Sequence, residues 1–250
     1  MPTFQTPGPI TARVEANAGS IRLIAGDRTD TVVEVRPRDE SPQADVRAAE
    51  QARVRYSNGK LGVTFAKFGF LGLRMGAVDI VIELPSHSRV DAAVASADVH
   101  ADGEFADFRF ASASGNLTVE SITGGAKIAT ASGDAAVDHL DGDLKFQAAS
   151  GALTVDRLTG NVKSQTASGS VSIGTAVSGA LVAHTSSGAV EIGIPEGTAA
   201  QLDIMTGSGV VTNRLQSSDG PEQGDETLVV RVRTGSGDVD IHRAVQAPAC

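Results

Sequence analysis

Two rows of charge run along this chain at one interval. Asp102, Glu120, Asp138 and Asp156 stand eighteen residues apart, and so do Arg109, Lys127, Lys145 and Lys163. Strand alternation around them points both rows outward, on different faces. Two opposite stripes can dock a protein partner or a second copy of the chain, steering it by complementary fields. The same charges on exposed strands also keep a sheet soluble and deter lateral aggregation. Stacking like charges ~5 Å apart costs roughly 0.9 kcal/mol per neighbouring pair even at the dielectric of water, so the rows work against the fold they decorate.

Other chemistry has less to build on. The densest acidic group is Asp134, Asp138, Asp141 and Asp143, with His139 among them. A glycosidase needs two carboxyls at a set separation with one pKa raised, whereas these read as turn and surface aspartates. Calcium is conceivable there, but neither the EF-hand spacing nor a tandem Gly-Gly-x-Gly-x-Asp nonapeptide occurs. The histidines His87, His100, His139, His184 and His242 are scattered without metal-ligand spacing. No dinucleotide fingerprint or P-loop is present. We therefore expect no catalytic residue, no cofactor and no metal, and a chain that is not an enzyme.

The segment Lys67–Gly76 offers a contact of another kind. Phe68, Phe70, Leu71, Leu73 and Met75 alternate there with glycines that prevent a regular element. Exposed, they would form a protein or membrane contact; folded over the first repeat, they would close its core.

The positioning elements follow from the repeat itself. Ser114-Gly115-Asn116-Leu117, Ser132-Gly133-Asp134-Ala135, Ser150-Gly151-Ala152-Leu153 and Ser168-Gly169-Ser170-Val171 recur at eighteen, with weaker copies at Ser187-Gly188, Ser208-Gly209 and Ser236-Gly237. Each unit has two halves, each a glycine turn followed by alternating apolar residues: Leu117 and Val119, then Ala126 and Ile128. Val137, Leu144, Phe146, Leu153, Val155 and Val162 hold matching places. A meander of hairpins gives the same spacing as a stack of coils. Columns of like small residues, such as Ala113, Ala131, Ala149 and Ala167, favour coils, because residue i then lies over residue i+18 about 4.8 Å away. A left-handed hexapeptide helix is excluded, since six residues after Leu117 comes Thr123 and six after Ala135 comes Asp141.

The spacing thus predicts an all-β chain: a single-stranded parallel β-helix (β-solenoid) of about 18 residues per coil with one short capping helix. We read 1–250 as one elongated domain. Residues 1–90 form irregular coils with a hairpin and a helix at 42–52, with Ser41 as N-cap and Pro42 at its first position. Residues 91–245 carry the regular coils, with a polar loop inserted at 216–227.

Composition sets outer bounds. The chain has 250 residues, 28 glycines, no tryptophan and a net charge of −9, which speaks against a general nucleic-acid binder. Its one cysteine, Cys250, permits no intrachain disulfide. No run of eighteen apolar residues suggests a membrane span, and Met1–Pro7 lacks the basic and apolar runs of a secretion signal, so a cytoplasmic protein is expected.

The Ser-Gly-[Asp/Asn]-aliphatic repeats, the strand ending in Leu84-Pro85 and the strand at Ala18-Gly19-Ser20-Ile21 resemble the bacterial "putative adhesin" β-solenoid family over residues 10 to 243. Asp27-Arg28-Thr29-Asp30 and Asp45–Glu50 are similar to cytosolic-looking actinobacterial members. The resemblance implies a parallel β-helix without established catalytic residues. The expected function is a non-enzymatic scaffold or protein-interaction module. A self-assembling end-to-end oligomer and a carbohydrate-active β-helix enzyme stand as alternatives.

Overall fold

A computed structural model describes residues 1–65, 76–216, 220–221 and 224–244. These residues are all-β with one helix and divide into two compact units, Met1–Thr123 and Gly124–Cys250. The first unit holds β1 (Thr3–Gln5), β2 (Thr11–Gly26), β3 (Asp30–Pro37), α1 (Gln43–Glu50), β4 (Arg53–Ser57), β5 (Lys60–Thr64), β6 (Ala77–Pro85), β7 (Ser88–Ser112) and β8 (Leu117–Ile122). The second holds β9 (Gly125–Thr130), β10 (Ala135–Ala148), β11 (Leu153–Thr166), β12 (Val171–Ser187), β13 (Val190–Ile194), β14 (Thr198–Ser208), β15 (Val211–Asn213), β16 (Glu226–Ser236) and β17 (Val239–Arg243).

The alternation seen in the sequence becomes the inside and outside of each strand. In β10, Val137, Leu144 and Phe146 are buried while Asp138, Lys145 and Gln147 are exposed. Leu117, Val119, Ala126, Ile128, Leu153, Val155 and Val162 are buried as the pattern requires. Each buried Val, Leu, Ile or Phe contributes about 1.5–3 kcal/mol.

In the second unit β9, β10, β11 and β12 pair in parallel, with Leu144 beside Val162 and Gly142 beside Gly160. Gly160 turns the chain with φ 127°, and a Cβ placed there would lie 2.2 Å from the Gly142 carbonyl oxygen. Polar side chains take up the N–H groups at several of these corners. Thr130 and Thr166 accept from the Gly133 and Gly169 N–H groups at 2.8 and 2.9 Å. Asp134 accepts the Ala152 N–H, eighteen residues on, at 2.8 Å.

After β12 the chain departs from simple succession. β12 pairs with β16, and β16 pairs in turn with β14. β17 likewise pairs with both β13 and β15. The last two strands are thus inserted between β12–β13 and β14–β15, and among the described residues β14 carries a ladder on one edge alone.

The first unit is built on β2, which runs parallel to β5, β6 and β7. Three antiparallel pairs, β1–β3, β3–β6 and β4–β5, depart from the parallel coils expected throughout. For β4–β5 the reason is the two-residue link Asn58-Gly59, too short for a parallel crossover. Its φ values of 51° and 72° are those of a type I′ hairpin. The helix also differs from expectation. It spans Gln43–Glu50, with Pro42 at the N-cap and no side-chain cap bond, because proline carries no side-chain acceptor; the Ser41 N–H donates to Asp39 at 2.9 Å. It buries none of its residues and is tied to the sheet by Asp45, which accepts the Ala77 N–H at 2.9 Å.

One core position is chemically misfit. Ser164 lies between Phe146 and Ala183 in the ladder, fully buried, and its hydroxyl has no hydrogen-bond partner. Removing an unsatisfied buried hydroxyl recovers its desolvation cost. Ser164→Ala should therefore stabilise the protein by about 1 kcal/mol, read from urea midpoints at unchanged slope.

Candidate interaction surfaces

The second unit brings three of the four basic residues into one row. Lys127 lies beside Lys145, and Lys145 beside Lys163, on β9, β10 and β11. All three are exposed, and among the described residues none forms an ion pair. The row continues through Val182 of β12 to Arg231 of β16 and ends at Asp203 of β14.

Two residues along each strand runs a second row: Ala129, Gln147, Gln165, His184, Arg233 and Met205. Gln147 donates to Gln165 at 3.3 Å. A shallow open depression of about 660 Å³ lies over this row, lined by Gln165, His184, Arg233 and Met205. The Arg233 guanidinium donates to the Asp203 carboxylate at 2.7 Å and to the Asp203 carbonyl at 3.0 Å. That hydrogen bond holds the Asp203 carboxyl below its ordinary range, and Asp203 in turn raises Arg233. Since the folded carboxyl is depressed, the pair favours folding above the ordinary carboxylate range and loses this contribution as pH falls through the folded pKa.

Arg231 and Arg233 are the functional candidates that repeat spacing misses. The alternation Val230-Arg231-Val232-Arg233 marks an outward-facing pair, but nothing at an interval of eighteen places β16 beside β12.

Asp138 and Asp156 are exposed on β10 and β11, on the other side of the Gly142–Gly160 corner from the lysines. The two acidic residues of the first unit are engaged locally. Asp102 binds Arg22 at 3.0 Å and His100 at 2.9 Å, while Glu120 accepts the Gly103 N–H at 2.6 Å. A register shift between Ala101 and Glu104 interrupts the β7–β8 ladder at Asp102. Arg109 is exposed on β7.

The Asp134 group is exposed throughout, and Asp134 and Asp143 bind Ala152 and Asn161 of the neighbouring strand segment. Among the described residues no three potential ligands converge on a metal position. Phe68, Phe70, Leu71, Leu73 and Met75 lie outside the described residues.

Likeness to known proteins agrees with this architecture. A solved structure described as a putative adhesin from Bacteroides fragilis superposes with TM-score 0.55 at 11% identity, with 96% of each chain covered. Similar coverage comes with a putative lipid binding protein from Parabacteroides distasonis (TM-score 0.48, 13% identity, 98% and 96% covered). A putative adhesin from Parabacteroides merdae gives TM-score 0.44 at 11% identity, with 98% and 95% covered. At 11% identity the first likeness is one of fold. No curated protein matches the sequence. The family model matches residues 13–242, from β2 to β17, and the chain belongs to the Toastrack DUF4097 family.

Proposed function

We propose that this chain is a non-enzymatic interaction module whose second unit docks an acidic protein surface on Lys127, Lys145 and Lys163. The carrying observation is that these three lysines stand in register and exposed, with no carboxylate partner of their own among the described residues. Coils of about eighteen residues in a single-stranded parallel β-helix would hold neighbouring lysines ~4.8 Å apart. The resulting repulsion, up to roughly 0.9 kcal/mol per pair, is relieved when an acidic surface covers the row. A rigid sheet also pre-organises the row, so little backbone order is lost on binding. Arg231 extends the same row.

The exposure of Asp134, Asp138, Asp141 and Asp143 speaks for binding over glycoside chemistry, because a general acid needs burial to raise its pKa. The description of a fold relative as an adhesin is compatible with an interaction role. Among the described residues no helix is long and apolar enough to cross a membrane.

The test is capture from a lysate of the source organism at low salt, with the native chain and with Lys127, Lys145 and Lys163 all changed to Ser. The native chain should retain a protein that the variant loses by at least ~10-fold and that elutes as salt shortens the screening length. Equal capture by both chains contradicts the proposal.

A further inference from the structure

Among the described residues β14 is an edge strand, and it lacks the protections edges normally carry. Natural edges are guarded by Lys, Pro, a bulge or an inward charge. Thr198–Ser208 has no Lys and no Pro, and its one charge, Asp203, is tied to Arg233 of the adjacent strand. The next charge in the chain, Arg214, is tied to Asp240 at 3.1 Å. Meanwhile Met205, Val210 and Val211 are 61%, 64% and 44% exposed, and with Met1 they make up the exposed large apolar residues among those described. Three of these four therefore fall on one short stretch of chain. Leu202 and Ile204, which extend the core columns of Val230 and Val232, are half-buried.

Backbone geometry says what can pair there. The Glu226 N–H donates to the Gly197 carbonyl, and Thr198 stands opposite Glu226 in a parallel ladder. In that pattern the odd-numbered residues of β14 turn their N–H and C=O groups toward β16, and Ala200, Leu202 and Ile204 turn theirs outward. An antiparallel strand would meet those outward groups directly.

We propose that the free edge of β14 pairs antiparallel with the same edge of a second copy of this chain, centred on Leu202. In that register Leu202 faces its own copy, Ala200 faces Ile204, and Ala199 faces Met205. Gln201 faces Asp203, so its amide can donate to the carboxylate. Every outward-bonding residue then meets another, and every side chain meets one from the same face of the sheet. The edge is self-complementary because both nearby charges are neutralised within their own chain. Shifting the centre to Asp203 would instead oppose two carboxylates. Such an isologous contact closes at two copies and builds no filament.

The test uses the whole chain. One edge is small beside the roughly 1,600 Å² of stable complexes, so sedimentation should be followed from about 5 to 500 µM. A monomer–dimer equilibrium is expected. Ala200→Pro removes an N–H that points outward in the monomer, and Met205→Lys places charge on an exposed side chain that faces Ala199 across the contact. Each should return the protein to monomer with its melting temperature held within a few degrees. In a Cys250→Ser background, Leu202→Cys should oxidise to a linked dimer, whereas Gln201→Cys should not. A monomer at every concentration overturns the proposal. So does a dimer that survives both edge variants, or linkage through position 201 in preference to 202.

Discussion

Gly160→Ala lowers the melting temperature by about 10–20 °C, corresponding to roughly 3–5 kcal/mol lost from the second unit. Two effects add. The backbone at Gly160 has φ 127°, where an L side chain is strained, and the new Cβ would sit 2.2 Å from the Gly142 carbonyl oxygen. That oxygen belongs to backbone in the neighbouring rung, so no rotamer change relieves the overlap. The rungs must separate, and the ladders β10–β11 and β11–β12 loosen together. Gly26→Ala is the matched control, since nothing lies within 4 Å of a Cβ there and its φ is outside the strained range. It should stay within about 0.5 kcal/mol of the native chain, measured by the same thermal or urea melts.

The second large effect concerns charge. Changing Lys127, Lys145 and Lys163 together to Ser removes two neighbouring like-charge contacts. The variant should therefore be more stable than the native chain by about 1 kcal/mol at low salt, below the ~1.8 kcal/mol ceiling because long side chains splay. The gain should shrink as salt rises toward physiological strength. Melts at ~10 mM and at ~300 mM salt give the comparison, the native chain gaining with salt and the variant responding less. A variant that loses both binding and stability would point to a structural role for the lysines. Retained or raised stability with lost capture marks residues kept for docking.

The repeat was legible because parallel in-register stacking sets like residues side by side. Lys145 beside Lys163, Gly142 beside Gly160 and the buried Val155 beside Val137 all follow from one interval. Corner chemistry was visible for the same reason, in the Ser-Gly-Asp motif whose Asp134 closes the next turn. Where pairing ceases to follow succession, the signal ends. Ser187 meets Ser236 forty-nine residues away, and no periodicity records that β16 and β17 enter between earlier strands. Arg231 and Arg233 were missed with them, as was the free edge at β14. In the first unit the three antiparallel pairs depend on tertiary placement around β2, which alternation alone does not specify. The helix begins one residue later than its cap residues imply, with Pro42 rather than Ser41 at the N-cap.

Docking on the basic row requires three lysines eighteen positions apart to stand shoulder to shoulder. Spin labels attached through Lys127→Cys and Lys163→Cys, in a Cys250→Ser background, measure this directly. Two parallel rungs place the labelled backbones about 10 Å apart, so strong dipolar broadening is expected. A sharp spectrum, with the labels well beyond about 20 Å, would show that these segments are not stacked, and the basic row would not exist.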